Sequence, residues 1–134
     1  MQVQGSCHCG EIRYEATIDP NQIGVCHCTD CQIFSGSAFR TSVLVPAARF
    51  SLLEGEPQLY EKTAESGAAR YLAFCPRCGT HLYGVGGDER RRVYSVRTGT
   101  LEQRSELAPA VQLWTRSALS WIHDLESIRA LEKQ

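Results

Sequence analysis

The chain has 134 residues, 43% of them hydrophobic, enough for one buried core and too few for two, so a single zinc-binding domain spanning 1–134 is expected. Its 14 lysines and arginines against 15 acidic residues give a formal charge of -1, which excludes the overall basic field that draws proteins onto nucleic acid or acidic lipid. No run approaches the roughly 18 to 20 apolar residues of a membrane span, and the opening MQVQGSCHCG lacks a basic-then-apolar signal pattern. A cytoplasmic protein with no nucleic-acid and no membrane partner is expected.

In chain order, Glu11 to Thr17 is the first strand signal, with Ile12, Tyr14 and Ala16 alternating with polar residues. Thr29 to Ser35 predicts one or two helical turns, with Thr29 as cap and Gly36 as terminator. Thr41 to Val45, Leu59 to Glu61, Ala69 to Phe74, His81 to Val85, Arg92 to Val96 and Val111 to Trp114 are further short runs rich in β-branched or aromatic residues. Turn formers separate them at Asp19-Pro20-Asn21, Glu54-Gly55-Glu56-Pro57 and Gly86-Gly87-Asp88. The pattern predicts a mainly β, antiparallel domain. At the end, Ala118, Trp121, Ile122, Leu125, Ile128 and Leu131 fall near helical spacing, so an amphipathic helix over Ser117 to Lys133 is expected to cover the core. Self-association through an exposed apolar face, giving a homo-oligomer, is the alternative.

Seven cysteines bunched as C-x-C, C-x-C-x-x-C and C-x-x-C suit metal chelation in a reducing compartment better than a disulfide framework. Zinc takes four thiolates in a closed site, and three ligands leave one position for water or substrate. Cys75-Pro76-Arg77-Cys78-Gly79 reads as a zinc knuckle that needs two more ligands, and Cys7-His8-Cys9-Gly10 is an arm of the right size to supply them. Cys26, Cys28 and Cys31 then remain as a trio for a second zinc. Spacing alone leaves the partition open, because the knuckle can also pair with two of Cys26, Cys28 and Cys31.

These residues carry a family resemblance. Gly5-Ser6-Cys7-His8-Cys9-Gly10, Cys26-His27-Cys28-Thr29-Asp30-Cys31, Ser35-Gly36 and Phe74-Cys75-Pro76-Arg77-Cys78-Gly79-Thr80 occur in the order found in the glutathione-dependent formaldehyde-activating enzymes and their relatives, which include centromere protein V. Gly99-Thr100-Leu101, Trp114 and Trp121 extend the match along most of the chain. The resemblance implies a tent-like β fold with two zinc ions per chain. Cys7, Cys9, Cys75 and Cys78 would hold a structural zinc, and Cys26, Cys28 and Cys31 the catalytic one. Two departures accompany it: the named enzyme has a longer part ahead of its first cysteine pair, and Gln112 stands where relatives often have His.

Other polar residues have plainer readings. His8 and His27 lie between cysteines and are expected to point away from an ion, His81 to reach a site edge, and His123 to be solvated. The run Arg90-Arg91-Arg92 reads as a solvated hairpin end offset by Asp88 and Glu89. Thr29, Asp30, Gln32 and Ser35 flank the trio, where they can orient a substrate or serve the local backbone. Trp114, Trp121, Phe34, Phe39 and Phe74 are expected in the core.

Two functions follow. One is a zinc-dependent carbon-sulfur lyase whose open three-thiolate zinc takes a small thiol or an aldehyde-thiol adduct. The other is a zinc-stabilised binding module with both metals structural. The open coordination position favours the first.

Overall fold

Alternation of apolar and polar residues sorts the chain into two sheets. The computed structural model describes residues 1–86, 88 and 92–134. Among them run ten strands: β1 (Gln2–Ser6), β2 (Arg13–Thr17), β3 (Ile23–Cys26), β4 (Arg40–Pro46), β5 (Phe50–Glu54), β6 (Gln58–Thr63), β7 (Ala69–Phe74), β8 (His81–Gly86), β9 (Val93–Arg97) and β10 (Val111–Leu113). Among the same residues one α-helix, α1 (Thr29–Ser35), joins β3 to β4. The smaller sheet has the order β1-β2-β5, and the larger β10-β3-β4-β9-β8-β7-β6. The fold is thus mainly β. Neighbouring strands are antiparallel except β10, which runs parallel to β3 and pairs Gln112 with Val25 and Leu113 with Cys26.

Both sheets contribute to one core. Val3, Tyr14 and Ala16 of the smaller sheet meet Val43, Val45, Leu82 and Val96 of the larger, all buried. Phe50 on β5 stacks on Tyr94 of β9 at 4.3 Å and lies 5.3 Å from Tyr14, while Tyr83 closes edge-on at 5.1 Å. Such ring pairs add about 0.5–1.5 kcal/mol each beyond their burial. The Tyr14 hydroxyl reaches Thr100 Oγ1 at 2.5 Å, and Thr100 Oγ1 donates to the Arg97 carbonyl at 2.7 Å. Burial pushes the Tyr14 phenol up to about 12, against the opposing effect of the Thr100 hydrogen bond, so it stays neutral and able to donate.

The polypeptide beyond β10 departs from expectation. The apolar spacing over Ser117 to Lys133 predicts an α-helix on the core; the structure has instead 3-10 turns over Thr115–Ser117 and Ser120–Ser127, broken by non-helical dihedrals at Asp124. Trp114, Trp121, Leu125, Ile128 and Leu131 are exposed, so the expected core positions of Trp114 and Trp121 are corrected too. Trp114 adopts a left-handed conformation with φ 57°, which ends β10, and its ring faces the Arg116 guanidinium at 4.8 Å. Spacing alone could not see that break. No helix among the described residues is long and apolar enough to cross a membrane. The run at Arg90 and Arg91 lies outside the described residues.

Gly5 shows how tightly the smaller sheet is packed. It sits opposite Tyr14 in the β1–β2 register, and a Cβ there would lie 2.2 Å from Tyr14 Cζ. The ring cannot yield easily, because it is stacked on one side and hydrogen-bonded at its tip. Gly5→Ala is therefore expected to lower the unfolding free energy by about 2 kcal/mol, as overpacking of a filled core does. Urea titration reads this, and the loss should shrink in a Tyr14→Leu background. Equal losses in both backgrounds would place the cost somewhere other than the ring.

Candidate metal centres and the adjoining cleft

Two tight turns bring four thiols together. The β1–β2 connection carries Cys7 and Cys9, and its Gly10 takes φ 81° while its N–H donates to the Cys7 carbonyl. The β7–β8 connection carries Cys75 and Cys78, and Gly79 takes φ 75° with its N–H on the Cys75 carbonyl at 2.8 Å. Both left-handed positions favour glycine, which lacks the Cβ that would strain them. The sulfurs of Cys7, Cys9, Cys75 and Cys78 all lie within 4.8 Å of one another, with Cys7 to Cys9 at 3.5 Å and Cys9 to Cys75 at 3.7 Å. A tetrahedral zinc with Zn–S near 2.3 Å sets its sulfurs about 3.8 Å apart, so this donor set fits such an ion. The Thr80 hydroxyl at 3.2 Å, then the backbone N–H groups of Thr80 and Cys9, pull the Cys78 thiol down to about 5 and so favour its thiolate.

The second group comes from one continuous segment. Cys26 ends β3, Cys28 precedes α1, and Cys31 lies in the first turn of that helix. Cys28, not the expected Thr29, is the N-cap: its sulfur accepts the Cys31 N–H at 3.3 Å, and Gly36 ends the helix with φ 61°. The three sulfurs lie within 4.8 Å of one another. Burial, and then proton sharing with Cys28, push the Cys31 thiol up. At Cys28 burial acts the same way but is outweighed by hydrogen bonds from Cys31 and by the charge of Arg40, and the net shift is downward.

His27 does not lie at the surface. It is 1% exposed, its ring packs edge-on to Phe39, and Nε2 donates to Gln112 Oε1 at 2.8 Å while Nδ1 has no partner. Gln112 sits on β10, whose Leu113 carbonyl accepts the His27 N–H at 3.0 Å. Gln32 adds a second clamp, donating to the carbonyls of His27 at 2.8 Å and Ser117 at 3.0 Å. Among the other residues beside the trio, Asp30 pairs with Lys62 of β6, and Ser35 bonds the Gln32 and Phe39 carbonyls. Both thus serve local structure. His8 and His123 are exposed.

A cleft of about 430 Å³ opens beside these groups, walled by Phe34, Phe39, Arg40, His81, Arg97 and Thr100, with Gly79 at one edge. Phe34 and Phe39, expected in the core, are half-buried in this wall, and Phe74 is half-buried against His81. Arg40 is the cross-strand partner of Cys26, and Phe34 belongs to the helix that carries Cys31. His81, expected at a site edge, does line the cleft, its ring between Phe74 and Phe34 at 5.9 and 6.0 Å. Burial, then the charges of Arg97 and Arg40, lower its pKa and keep it neutral. Arg40 and Arg97 carried no recognisable signal in the sequence. An arginine closing a strand reads as solvated, and the 6% exposure of Arg97 emerges only from packing.

A mainly β fold bearing a four-thiol and a three-thiol cluster defines a cysteine-rich β protein whose two clusters can each hold a metal ion. The chain belongs to the glutathione-dependent formaldehyde-activating enzyme family, whose model matches residues 2–117. It is 32% identical over 82 residues to an uncharacterized lyase of Schizosaccharomyces pombe, covering 61% of this chain and 56% of that protein. It is also 34% identical over 80 residues to a Penicillium rubens protein provisionally named a glutathione-dependent formaldehyde-activating enzyme, covering 58% and 41%. The chain thus spans about half the length of these curated relatives. A crystal structure of a Rhodobacter sphaeroides protein shares the fold with a TM-score of 0.63, 18% identity, and coverage of 81% of this chain and 98% of that one.

The His27–Gln112 bond ties the trio segment to β10. Gln112→Ala removes the acceptor from a buried imidazole and is expected to cost about 1 kcal/mol. The urea midpoint should fall with an unchanged slope, since the unfolded surface is the same. An unaltered midpoint would mean that the strand pairing alone holds β10.

Proposed function

We propose that the protein is a zinc-dependent carbon-sulfur lyase-type enzyme that acts on a thiol adduct of a small aldehyde, of the glutathione–formaldehyde kind. The observation that carries this reading is the convergence of only three sulfurs, those of Cys26, Cys28 and Cys31, next to an open cleft, while four others lie close enough together to supply a full ligand set. Family membership and the lyase named among the relatives support it. In this reading the domain holds two zinc ions, one structural at Cys7, Cys9, Cys75 and Cys78, the other open at the trio. When bound there, zinc supplies a coordination position at which a thiol ionises near neutral pH. Three thiolates weaken its Lewis acidity, which suits thiol capture over activation of water.

The chain's own residues do the rest. Arg40, opposite Cys26, offsets the thiolate charge, and Phe34 and Phe39 exclude water from the cleft wall. In the forward reaction the substrate sulfur adds to the formaldehyde carbon. One carbon-sulfur bond forms, the carbonyl π bond opens, and its oxygen takes a proton to give the hydroxymethyl adduct; the lyase direction is the reverse. His81, neutral and lacking a partner at Nδ1, stands in the cleft wall where that proton can be held.

Exchange spectroscopy of a formaldehyde and glutathione mixture should show faster adduct formation with protein present. No acceleration at high protein concentration would remove this substrate pair and leave a zinc-stabilised binding module. Fresh, reduced protein should also contain two zinc ions per chain, and the two sites should differ in what their loss does. Ligands at 7, 9, 75 and 78 close a long loop, so most of that ion's binding energy is folding energy, whereas the trio closes a local one. Cys75→Ser is expected to lose most of the structure. Cys31→Ser should stay folded, with about one zinc, the expectation for one closed site, and no thiol-dependent activity. Thermal unfolding and metal analysis of the two variants side by side decide this. Equal unfolding of both would make the second site structural and overturn the enzyme reading.

A further inference from the structure

The walls of the cleft hold more hydrogen-bond donors than the protein satisfies. Arg97 is 6% exposed; its Nη1 donates to the Ser95 carbonyl at 2.9 Å and contacts Ser95 Oγ at 3.4 Å, but Nη2 is buried with no partner. Arg40 Nε is likewise buried and unpartnered, and beside them the Nδ1 of the neutral His81 is buried without a partner, free to accept. All three residues line the same cleft. Among the described residues no carboxylate pairs with Arg40 or Arg97. Burial, then repulsion from Arg40, lower Arg97 to about 9, so it remains cationic at neutral pH but is held at a cost.

Arg97 and Arg40 lie close enough to the trio to interact with it, Arg97 with Cys31 and Arg40 with both Cys28 and Cys31. Coulomb attraction at a distance does not satisfy an N–H group, however, and the orphaned donors need an acceptor in contact. The aromatic walls lower the local dielectric, which raises the gain from an anionic acceptor in contact with the two guanidinium groups. A carboxylate meets these demands: it is a monoanion, and its two oxygens accept from two planar guanidinium groups at once.

We propose that the Arg40–Arg97 cleft binds a carboxylate group of the substrate, with His81 at its edge, so that the enzyme selects acidic over neutral thiols. This rests on the thiol-adduct reading above, in which the trio takes the sulfur of the same molecule. Arg40 and Arg97 are then specificity-determining residues.

The test uses zinc-loaded protein, the arginine Nε–H signals in nitrogen-15 NMR spectra, and three probes: 3-mercaptopropionate, its neutral analogue 3-mercaptopropionamide, and propionate. The acid thiol should move the Arg40 Nε–H signal at roughly tenfold lower concentration than the amide, the scale of one charge-assisted hydrogen bond. Propionate should move it as well. Arg40→Gln, and Arg97→Lys as a second variant that retains charge but loses the planar fork, should bring the two thiols to nearly equal affinity, read for the variants by calorimetry. The proposal is overturned if the amide matches the acid in the native protein, if neither acid moves the signal, or if the preference survives in both variants. Cobalt-substituted protein separates the two readings. Thiols that perturb the cobalt absorption without any preference for the acid keep the lyase reading and remove the carboxylate site. Acids that move Arg40 while no thiol perturbs the cobalt do the reverse.

Discussion

Four sulfurs meet where two distant turns of the chain come together, and most of the architecture depends on that meeting. The turn before β2 and the turn before β8 are separated by more than sixty positions of sequence, yet Cys9 and Cys75 lie 3.7 Å apart. Supporting contacts surround them. The His8 N–H donates to Thr80 Oγ1, the Ile12 N–H to the Cys7 sulfur, and Arg77 pairs with Glu11 across the same junction. The ion pair is exposed and contributes little by itself. The buried sulfurs of Cys7 and Cys75 belong to the core that Val3, Ile12 and Leu82 continue, so the thiol group and the apolar interior reinforce one another.

The cleft belongs to the larger sheet, its lining drawn from α1, β4, the β7–β8 turn, β8, β9 and the turn after β9. The Tyr14–Thr100–Arg97 chain of hydrogen bonds runs from the aromatic core to the cleft wall. Thr100 holds the Arg97 backbone, and Ser95 holds its side chain, so the guanidinium is aimed by the core before any ligand arrives. A preset donor loses less freedom on binding than one that must be ordered. The tip of the guanidinium packs beside Gly84 of β8, where an added Cβ would lie at ordinary contact distance, 3.6 Å, from Nη2 and press on Leu72 at 3.2 Å.

How much of this could be read in the sequence depends on the distance over which each feature is decided. Ala69–Phe74 coincides with the strand that its residue types predict, and β4, β6, β8 and β9 differ from expectation only at their ends. β3 was invisible because all four of its residues are buried, so it shows no alternation, and β5 because its residues are mostly exposed. β1 offers only Val3 and Gly5 to the interior, too weak a pattern for a short strand. The cysteine groups were legible since metal-ligand spacing is local within each turn, whereas spacing left open which turn joins which, and the family resemblance favoured the grouping in which the four sulfurs lie within 4.8 Å of one another. Arg40, Arg97 and the burial of His27 were not legible. Each follows from which strand lies beside which, and the parallel pairing of β10 with β3 decides the last of them.

The antiparallel β3–β4 register explains why thiol and charged residues appear together on these two strands. Cys26 and Arg40 are opposite each other in an antiparallel register, and Ser42, two residues on, faces Arg97 of β9. Side chains alternate between faces, so a slip of one residue would send Arg40 to the far side of the sheet and take both its charge and its orphaned donor away from the cleft. The apolar positions Val43 and Val45, fully buried on the same strand, forbid the slip because it would expose them. The register that keeps the core dry is therefore the one that sets a cation beside the thiol trio, and the chemistry of the cleft inherits its precision from hydrophobic packing that has no part in it.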